Sequence, residues 1–177
     1  MNNLKIGKTI SYALRHNPGK YSLTPDKEGY VKVSDLIDGL YSVDNIKIDL
    51  SDIERIIKNS DKKRYEINDG KIRATYGHST VSIEKEKVKP PEVLYHGTTH
   101  KAYKSIQAVG LKSMERQFVH LSEDIKTAEI VGKRRESNPV ILKIDSRRAH
   151  ENGVGFYRGN DTTWLSDEIP AEYINLL

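Results

Sequence analysis

The chain has 177 residues, 36% hydrophobic and 31% charged, with no apolar run near the ~20 residues of a membrane helix; this fits a soluble globular protein of one ordinary domain or two small ones. Its net charge is +4, with 14 Lys and Arg against 11 Asp and Glu in residues 1–80 and 15 against 14 in residues 81–177, so the basic excess suits a polyanionic partner without pointing to one. The absence of cysteine excludes disulfides and thiolate chemistry, and Lys5, Gly7 and Lys8 interrupt any leader-like apolar core, which together suit a reducing cytoplasm.

Leu4, Ile10, Ala13 and Leu14 recur at near-helical spacing and predict an amphipathic helix over residues 3–15, closed by Pro18. Arg15 and His16 then fall at the helix C-terminus, where complementarity to the dipole alone accounts for cations. Residues 29–33 read as a short extended piece. Ser34 is placed to N-cap a helix over 35–40, and Ser51 with Glu54 forms a capping box opening a helix with Ile53, Ile56 and Ile57 on one face. Tyr65 and Ile67, the turn Asn68-Asp69-Gly70, and Ile72, Ala74 and Tyr76 make a β-hairpin. Three helices followed by a hairpin is the order of a winged-helix domain, here residues 1–80. Winged helices most often bind duplex DNA. The presumed recognition helix, 51–60, sets Asp52 and Glu54 beside Arg55 and Lys58, which does not favour plain duplex recognition. Arg73, on the returning strand, is either a wing-to-phosphate contact or a solvated strand residue.

Alternating charges at Glu84, Lys85, Glu86 and Lys87 run into Pro90-Pro91, so residues 81–92 read as a linker. Beyond it, residues 93–177 predict a strand at Val93-Leu94-Tyr95 and a His96-Gly97-Thr98 turn. A helix over 101–109 follows, with Ala102, Ile106 and Val109 inward and Gly110 as its stop. Next come a strand at 118–121, a helix over 125–134 with Ala128 and Val131 inward, a buried strand at 140–144, and a short turn or helix at 146–151. A hairpin pairs 156–158 with 163–165, and Pro170 opens a final extended segment. This half is a small, strand-rich α+β domain. It lacks both the G-x-G-x-x-G fingerprint and the P-loop. His96-x-x-x-His100 has the spacing of a helical metal pair but no accompanying Glu in the H-E-x-x-H position, and no metal is assigned. The stretch from Leu94 to Ser122 organises the chain: two strand ends bring His96, His120 and Ser122 to one region with Arg116 close by, which is a way to build a nucleotide pocket.

Taken together, these motifs resemble the RNA 2′-phosphotransferase family, NAD-dependent enzymes of tRNA splicing with bacterial and archaeal relatives. In the first half the resemblance rests on Leu14-Arg15-His16 with Pro18, on Glu28-Gly29-Tyr30-Val31, on Arg64-Tyr65-Glu66-Ile67, and on Ile72-Arg73-Ala74 with Gly77-His78-Ser79. In the second it rests on Leu94-Tyr95-His96-Gly97-Thr98, Gly110-Leu111 with Met114 and Arg116, Val119-His120-Leu121-Ser122, Val131-Gly132-Lys133-Arg134, and the tail from Ile169 to Ile174. Phe118, Thr75-Tyr76 and Thr162-Thr163-Trp164 depart from the family pattern.

The resemblance implies an N-terminal winged-helix lobe and a C-terminal ADP-ribosyltransferase-like lobe with the reaction between them. The implied substrates are NAD, as co-substrate, and an RNA carrying an internal 2′-phosphate, tRNA-like. The phosphate attacks the ribose carbon bearing nicotinamide. The ribose 2″-hydroxyl then attacks phosphorus, expelling the RNA 2′-hydroxyl and forming ADP-ribose 1″,2″-cyclic phosphate. Arg15, Arg73 and Arg116 match the family's phosphate arginines and His16 its essential histidine, which either hydrogen-bonds the phosphate or transfers a proton. His96, Gly97, Thr98, His120, Leu121 and Ser122 match the NAD-binding edge. Val131 and Arg134 flank nicotinamide and pyrophosphate, with Val131 where protein-modifying relatives carry a catalytic glutamate. A phosphomonoester dianion is gathered best by planar bidentate donors, which favours arginine over lysine. The alternatives are an ADP-ribosyltransferase that caps terminal phosphates of nucleic acids and a non-catalytic winged-helix DNA-binding protein. A monomer is the default expectation.

Overall fold

The computed structural model describes residues 3–60 and 63–177. Among these residues the protein is α+β, with six α-helices and two antiparallel sheets, and it divides into two compact units, Met1–Lys85 and Glu86–Leu177. No helix of the described residues is long and apolar enough to cross a membrane.

In the first unit, helix α1 (Asn3–Arg15) buries Ile6, Ile10, Ala13 and Leu14. Ile6, not the predicted Leu4, opens the apolar row: Leu4 is 64% exposed, because a position six residues before Ile10 falls off the i, i+4 line. Pro18 starts a 3₁₀ turn, Pro18–Tyr21, capped by the Asn17 side chain. Strand β1 (Val31–Lys32) leads directly into α2 (Val33–Asp44). Ser34 is therefore inside the helix and not its cap. The first-turn amide of Val33 instead donates to the Gly70 carbonyl at 2.9 Å, so the hairpin turn does the work expected of a hydroxyl. Helix α3 (Leu50–Lys58) starts ahead of the predicted box: Asp49 caps it, with Asp52 as the reciprocal partner, and Ser51 donates to Asp49. A carboxylate at a helix N-terminus outcompetes a neutral hydroxyl two residues on. Strands β2 (Tyr65–Asn68) and β3 (Lys71–Ala74) form the hairpin. Its Asp69-Gly70 turn has φ of 47° and 72°, the mirror-image geometry that asks for these residue types. The sheet order is β1-β3-β2, with Glu66 directly opposite Arg73. Ile10, Leu14, Leu36, Leu40, Ile53 and Ile72 are fully buried, each such side chain contributing about 1.5–3 kcal/mol of apolar burial.

The second unit is built on a sheet ordered β7-β8-β5-β4-β6-β9. Its elements are β4 (Val93–Thr98), α4 (His100–Val109), β5 (Val119–Ser122), α5 (Ile125–Gly132), β6 (Val140–Asp145), α6 (Ser146–Glu151), β7 (Phe156–Arg158), β8 (Thr163–Ser166) and β9 (Ile174–Leu176). His96-Gly97-Thr98 is not a turn. It continues β4 and pairs with Leu142, Ile141 and Val140 of β6. Val109 points outward at 54% exposure, leaving Ile106 as the buried anchor of α4, and a 3₁₀ turn at Ala171–Tyr173 precedes β9. Leu94, Leu142, Ile144, Phe156 and Leu165 fill the centre.

Candidate functional site

The predicted site residues fall into two groups, one in each unit. In the first, Arg15 ends α1 and His16 adds one more turn-closing bond, its amide donating to Tyr12 O at 3.0 Å. Residues 77–80 wrap this end. Ser79 N–H donates to Arg15 O (3.0 Å), Thr80 Oγ1 donates to His16 O (2.9 Å), and the Ser79 hydroxyl bonds His16 Nδ1 at 2.8 Å. The carbonyls orphaned at a helix C-terminus are thus taken up by a segment far away in sequence, which fixes the histidine ring at the same time. Gly77 has φ of 88°, the left-handed region that favours glycine, and the Arg15 guanidinium lies beside it, at ordinary contact distance from where a Cβ would stand. It also lies over the Tyr76 ring at 5.0 Å and the Tyr65 ring at 5.9 Å, and donates to Arg64 O at 3.4 Å.

His78 is buried, and among the described residues its Nε2 has no hydrogen-bond partner. Burial, aided by the positive charges of Arg15, Lys85, His16 and Arg73, pushes its pKa down to about 4, so the ring is neutral at pH 7.

Arg73 is placed differently from Arg15. Its Nε and Nη2 both donate to Glu66 Oε2, at 3.0 and 2.9 Å. Nη1 donates to Glu28 O at 3.2 Å, and the guanidinium lies 4.4 Å from the Tyr30 ring centre. The cross-strand register that sets Glu66 opposite Arg73 causes this pairing. An anion can use Arg73 only in competition with Glu66. Arg64, singled out in the sequence only as part of a motif, meets Arg15 through its backbone: its carbonyl accepts from Arg15, while its guanidinium donates to Ser60 Oγ at 3.0 Å. Burial pushes the Tyr65 phenol pKa up, with the Ser11 hydrogen bond and the charges of Arg15 and Arg64 opposing it.

In the second unit the ladder between β4 and β5 is the single pair Tyr95↔Ser122. Beyond it the strands part, and His96 Nδ1 takes the His120 carbonyl at 2.9 Å. A carbonyl only accepts, so the neutral His96 ring carries its proton on Nδ1 and offers Nε2 as an acceptor. Burial is the main cause that holds its pKa below the usual value, with Arg116 adding to it and the His120 carbonyl opposing it. His120 Nδ1 is held in the same way by Phe118 O, at 3.0 Å. Gly97 lies against α5: a Cβ would meet Ala128 O at 2.1 Å and Gly132 N at 3.1 Å. Helix and strand therefore touch backbone to backbone, and Gly132 is pinned in turn by Pro139.

The remaining predicted residues are distributed around this split. Thr98 ends β4. Leu121 is in the apolar core, so only its backbone can face a ligand, while Ser122 is a buried hydroxyl on the same strand. Val131 is half-buried on α5. Arg134 lies past the helix end, exposed, with its amide on Val131 O. Arg116 is exposed in the bend before β5. His96 and His100 share no helix, since one is in a strand and the other opens α4, where it pairs with Glu136. A parted strand pair with bare backbone, histidine acceptors and a nearby arginine suits a ligand carrying both hydroxyls and phosphates.

The family model described as RNA 2′-phosphotransferase, Tpt1 / KptA family, matches residues 1–168. The chain is 48% identical over 171 residues to a protein of Bacillus thuringiensis subsp. konkukian named "Probable RNA 2′-phosphotransferase", covering 96% of this chain and 92% of the relative. A protein of the same name from Acetivibrio thermocellus is 49% identical over 172 residues, covering 96% and 94%. Another, from Fusobacterium nucleatum subsp. nucleatum, is 41% identical over 176 residues, covering 98% of both chains.

Proposed function

Because the chain belongs to the RNA 2′-phosphotransferase, Tpt1 / KptA family, we propose that it is a transferase that removes an internal 2′-phosphate from RNA with NAD as co-substrate. The observation that carries this reading is the match through residues 1–168, which takes in both the Arg15-His16 end of α1 and the β4–β5 split. On this reading the first unit is a winged-helix lobe, from its three helices and β1-β3-β2 sheet, and the second is an ADP-ribosyltransferase-like lobe.

NAD supplies an electrophilic ribose carbon with nicotinamide as leaving group and, once joined to the phosphate, a neighbouring 2″-hydroxyl that releases the phosphate from RNA as ADP-ribose 1″,2″-cyclic phosphate. The residues of the second unit fit such a group: the parted strands free backbone polar groups, Gly97 allows close approach, His96 and His120 offer acceptors, and Arg134 is a cation suited to a pyrophosphate.

In the first unit Arg15 provides a charged, braced donor for the 2′-phosphate, and His16, held through Nδ1, presents Nε2. A ring so placed donates a hydrogen bond to a phosphate oxygen, or returns a proton to the departing RNA 2′-oxygen in the second step. Arg73, by exchanging Glu66 for phosphate, is the other proposed phosphate ligand of this unit, and Arg116 is the proposed phosphate ligand of the second unit.

The test is mass spectrometry of a short RNA with one internal 2′-phosphate, incubated with the protein with and without NAD. Loss of phosphate only with NAD, together with the cyclic phosphate product, is the expected result. An RNA left intact by folded, NAD-bound protein would overturn the reading. An RNA that gains ADP-ribose and keeps its phosphate would point to terminal capping.

A further inference from the structure

One side of α1 carries a stripe that the proposed reaction does not use. Lys5, Lys8, Tyr12 and His16 follow one another at steps of three, four and four residues, so they line a single row, and the row ends on His16. Beside this row lies a groove of about 410 Å³ whose walls include Lys5, Lys8, Thr9, Tyr12, Lys20 and Asp44. Tyr12 is 43% exposed, and its ring centre is 6.2 Å from the His16 imidazole. Lys20 Nζ stands 5.9 Å from the Tyr12 ring centre and 5.1 Å from that of Tyr21. Lys20 is paired with Asp44 at 3.5 Å, whereas Lys5 and Lys8 meet no carboxylate among the described residues.

Tyr21 is buried in the wall of the same groove, whereas Tyr12 meets it only edge-on at 6.4 Å, accepts from Asn17 Nδ2 through its hydroxyl at 3.4 Å, and stays exposed. Here an exposed aromatic ring instead has one ammonium group, that of Lys20, beside it and shares its groove with Lys5 and Lys8. That combination matches single-stranded nucleic acid, whose free base faces stack on aromatic rings while cations follow the phosphates. A duplex offers no free base face to Tyr12. At about 1.5 Å of rise per residue, the row from Lys5 to His16 is about 16 Å long, enough for a few nucleotides.

We propose that this stripe is the track for the single-stranded RNA flanking the reacting 2′-phosphate, with one base stacked on Tyr12 and backbone phosphates on Lys5, Lys8 and Lys20. The assignment of the flank to this RNA rests on the function proposed above, which places the reacting phosphate at His16.

The experiment is fluorescence anisotropy of a labelled single-stranded RNA without any 2′-phosphate, on the full chain and without NAD. It reads the track independently of turnover, so a failed reaction and a failed track are separable. The double substitution K5E/K8E is expected to weaken binding by tenfold or more. Replacing both by alanine should flatten the slope of log affinity against log salt by roughly 1.4, about 0.7 for each phosphate no longer neutralised. Tyr12→Ala should cost roughly 5- to 100-fold in affinity, with Tyr12→Phe close to the parent because the stacking face is kept. In turnover of 2′-phosphorylated RNAs, the K5E/K8E rise in KM should shrink as the RNA is shortened towards a dinucleotide. Unchanged affinity in K5E/K8E and Tyr12→Ala, or duplex RNA binding as tightly as single strands, would overturn the proposal.

Discussion

His16 and His96 are both held through Nδ1, but by different partners, and the difference separates the two candidate regions. His96 bonds a carbonyl, which can only accept, and burial holds its pKa down; its proton stays on Nδ1 and Nε2 is a fixed acceptor. His16 bonds the Ser79 hydroxyl, which donates or accepts as required, so the ring keeps its place whichever nitrogen carries the proton. The hydrogen bond at the β4–β5 split holds His96 in one tautomer. The end of α1 is built to tolerate a change of proton.

Removing the adaptable ring tests this contrast most severely. His16→Ala is expected to slow phosphate loss about 100- to 10,000-fold in single-turnover assays, with NAD affinity, read by calorimetry, near that of the parent. His96→Ala should do the reverse, raising the Kd for NAD more than it lowers the rate at saturating NAD. A His16→Ala protein that loses NAD binding as well would erase the distinction.

Two changes sharpen the structural side. Gly97→Val drives a side chain into the Ala128 carbonyl and should destabilise the second unit by about 3 kcal/mol, the upper end for overpacking, seen as a lower Tm. In the first unit, His78 carries a pH dependence. Its folded pKa of about 4 is below the unfolded value near 6.5, so the unfolded chain binds the proton first as pH falls. Stability is complete above pH 6.5 and declines towards pH 4, by up to roughly 3 kcal/mol. Urea midpoints measured across that window should fall in the parent and stay flatter in His78→Gln.

The arginines discriminate more finely. Arg73→Ala should slow the second step more than the first, so that ADP-ribosylated RNA accumulates. If both steps are spared, Arg73 is a brace for Glu66 and Glu28 and leaves the set of phosphate ligands. The smallest effect is expected from Ser79→Ala: about tenfold in rate for one missing hydrogen bond that positions the ring, with Ser79→Thr close to the parent and the pH–rate profile shifted only in the alanine variant.

How much of the fold and the site is legible in the sequence follows from the range of the forces involved. Helix α1, the Asp69-Gly70 hairpin and the β7–β8 pair can be read because periodicity and turn chemistry act within a few residues. The start of α3 cannot be placed from local pattern because two overlapping capping patterns compete there, and α2 needs no hydroxyl cap because Gly70 supplies a carbonyl from the hairpin. His96-Gly97-Thr98 reads as a turn because Gly and Thr weaken the strand signal. Pairing with β6 and the close approach of α5 override it.

Periodicity and turn chemistry determined an α+β chain, and the resemblance of its ordered motifs to the RNA 2′-phosphotransferase family, to which the match through residues 1–168 assigns it, named Arg15, His16, His96 and Gly97 as residues to watch. Tertiary structure alone decided what each of them touches. Ser79 lies 63 residues from the histidine it holds, and Arg73 meets Glu66 through strand register. Hydrogen bonds between distant segments depend on which surfaces the folded core brings together, and no local pattern encodes them.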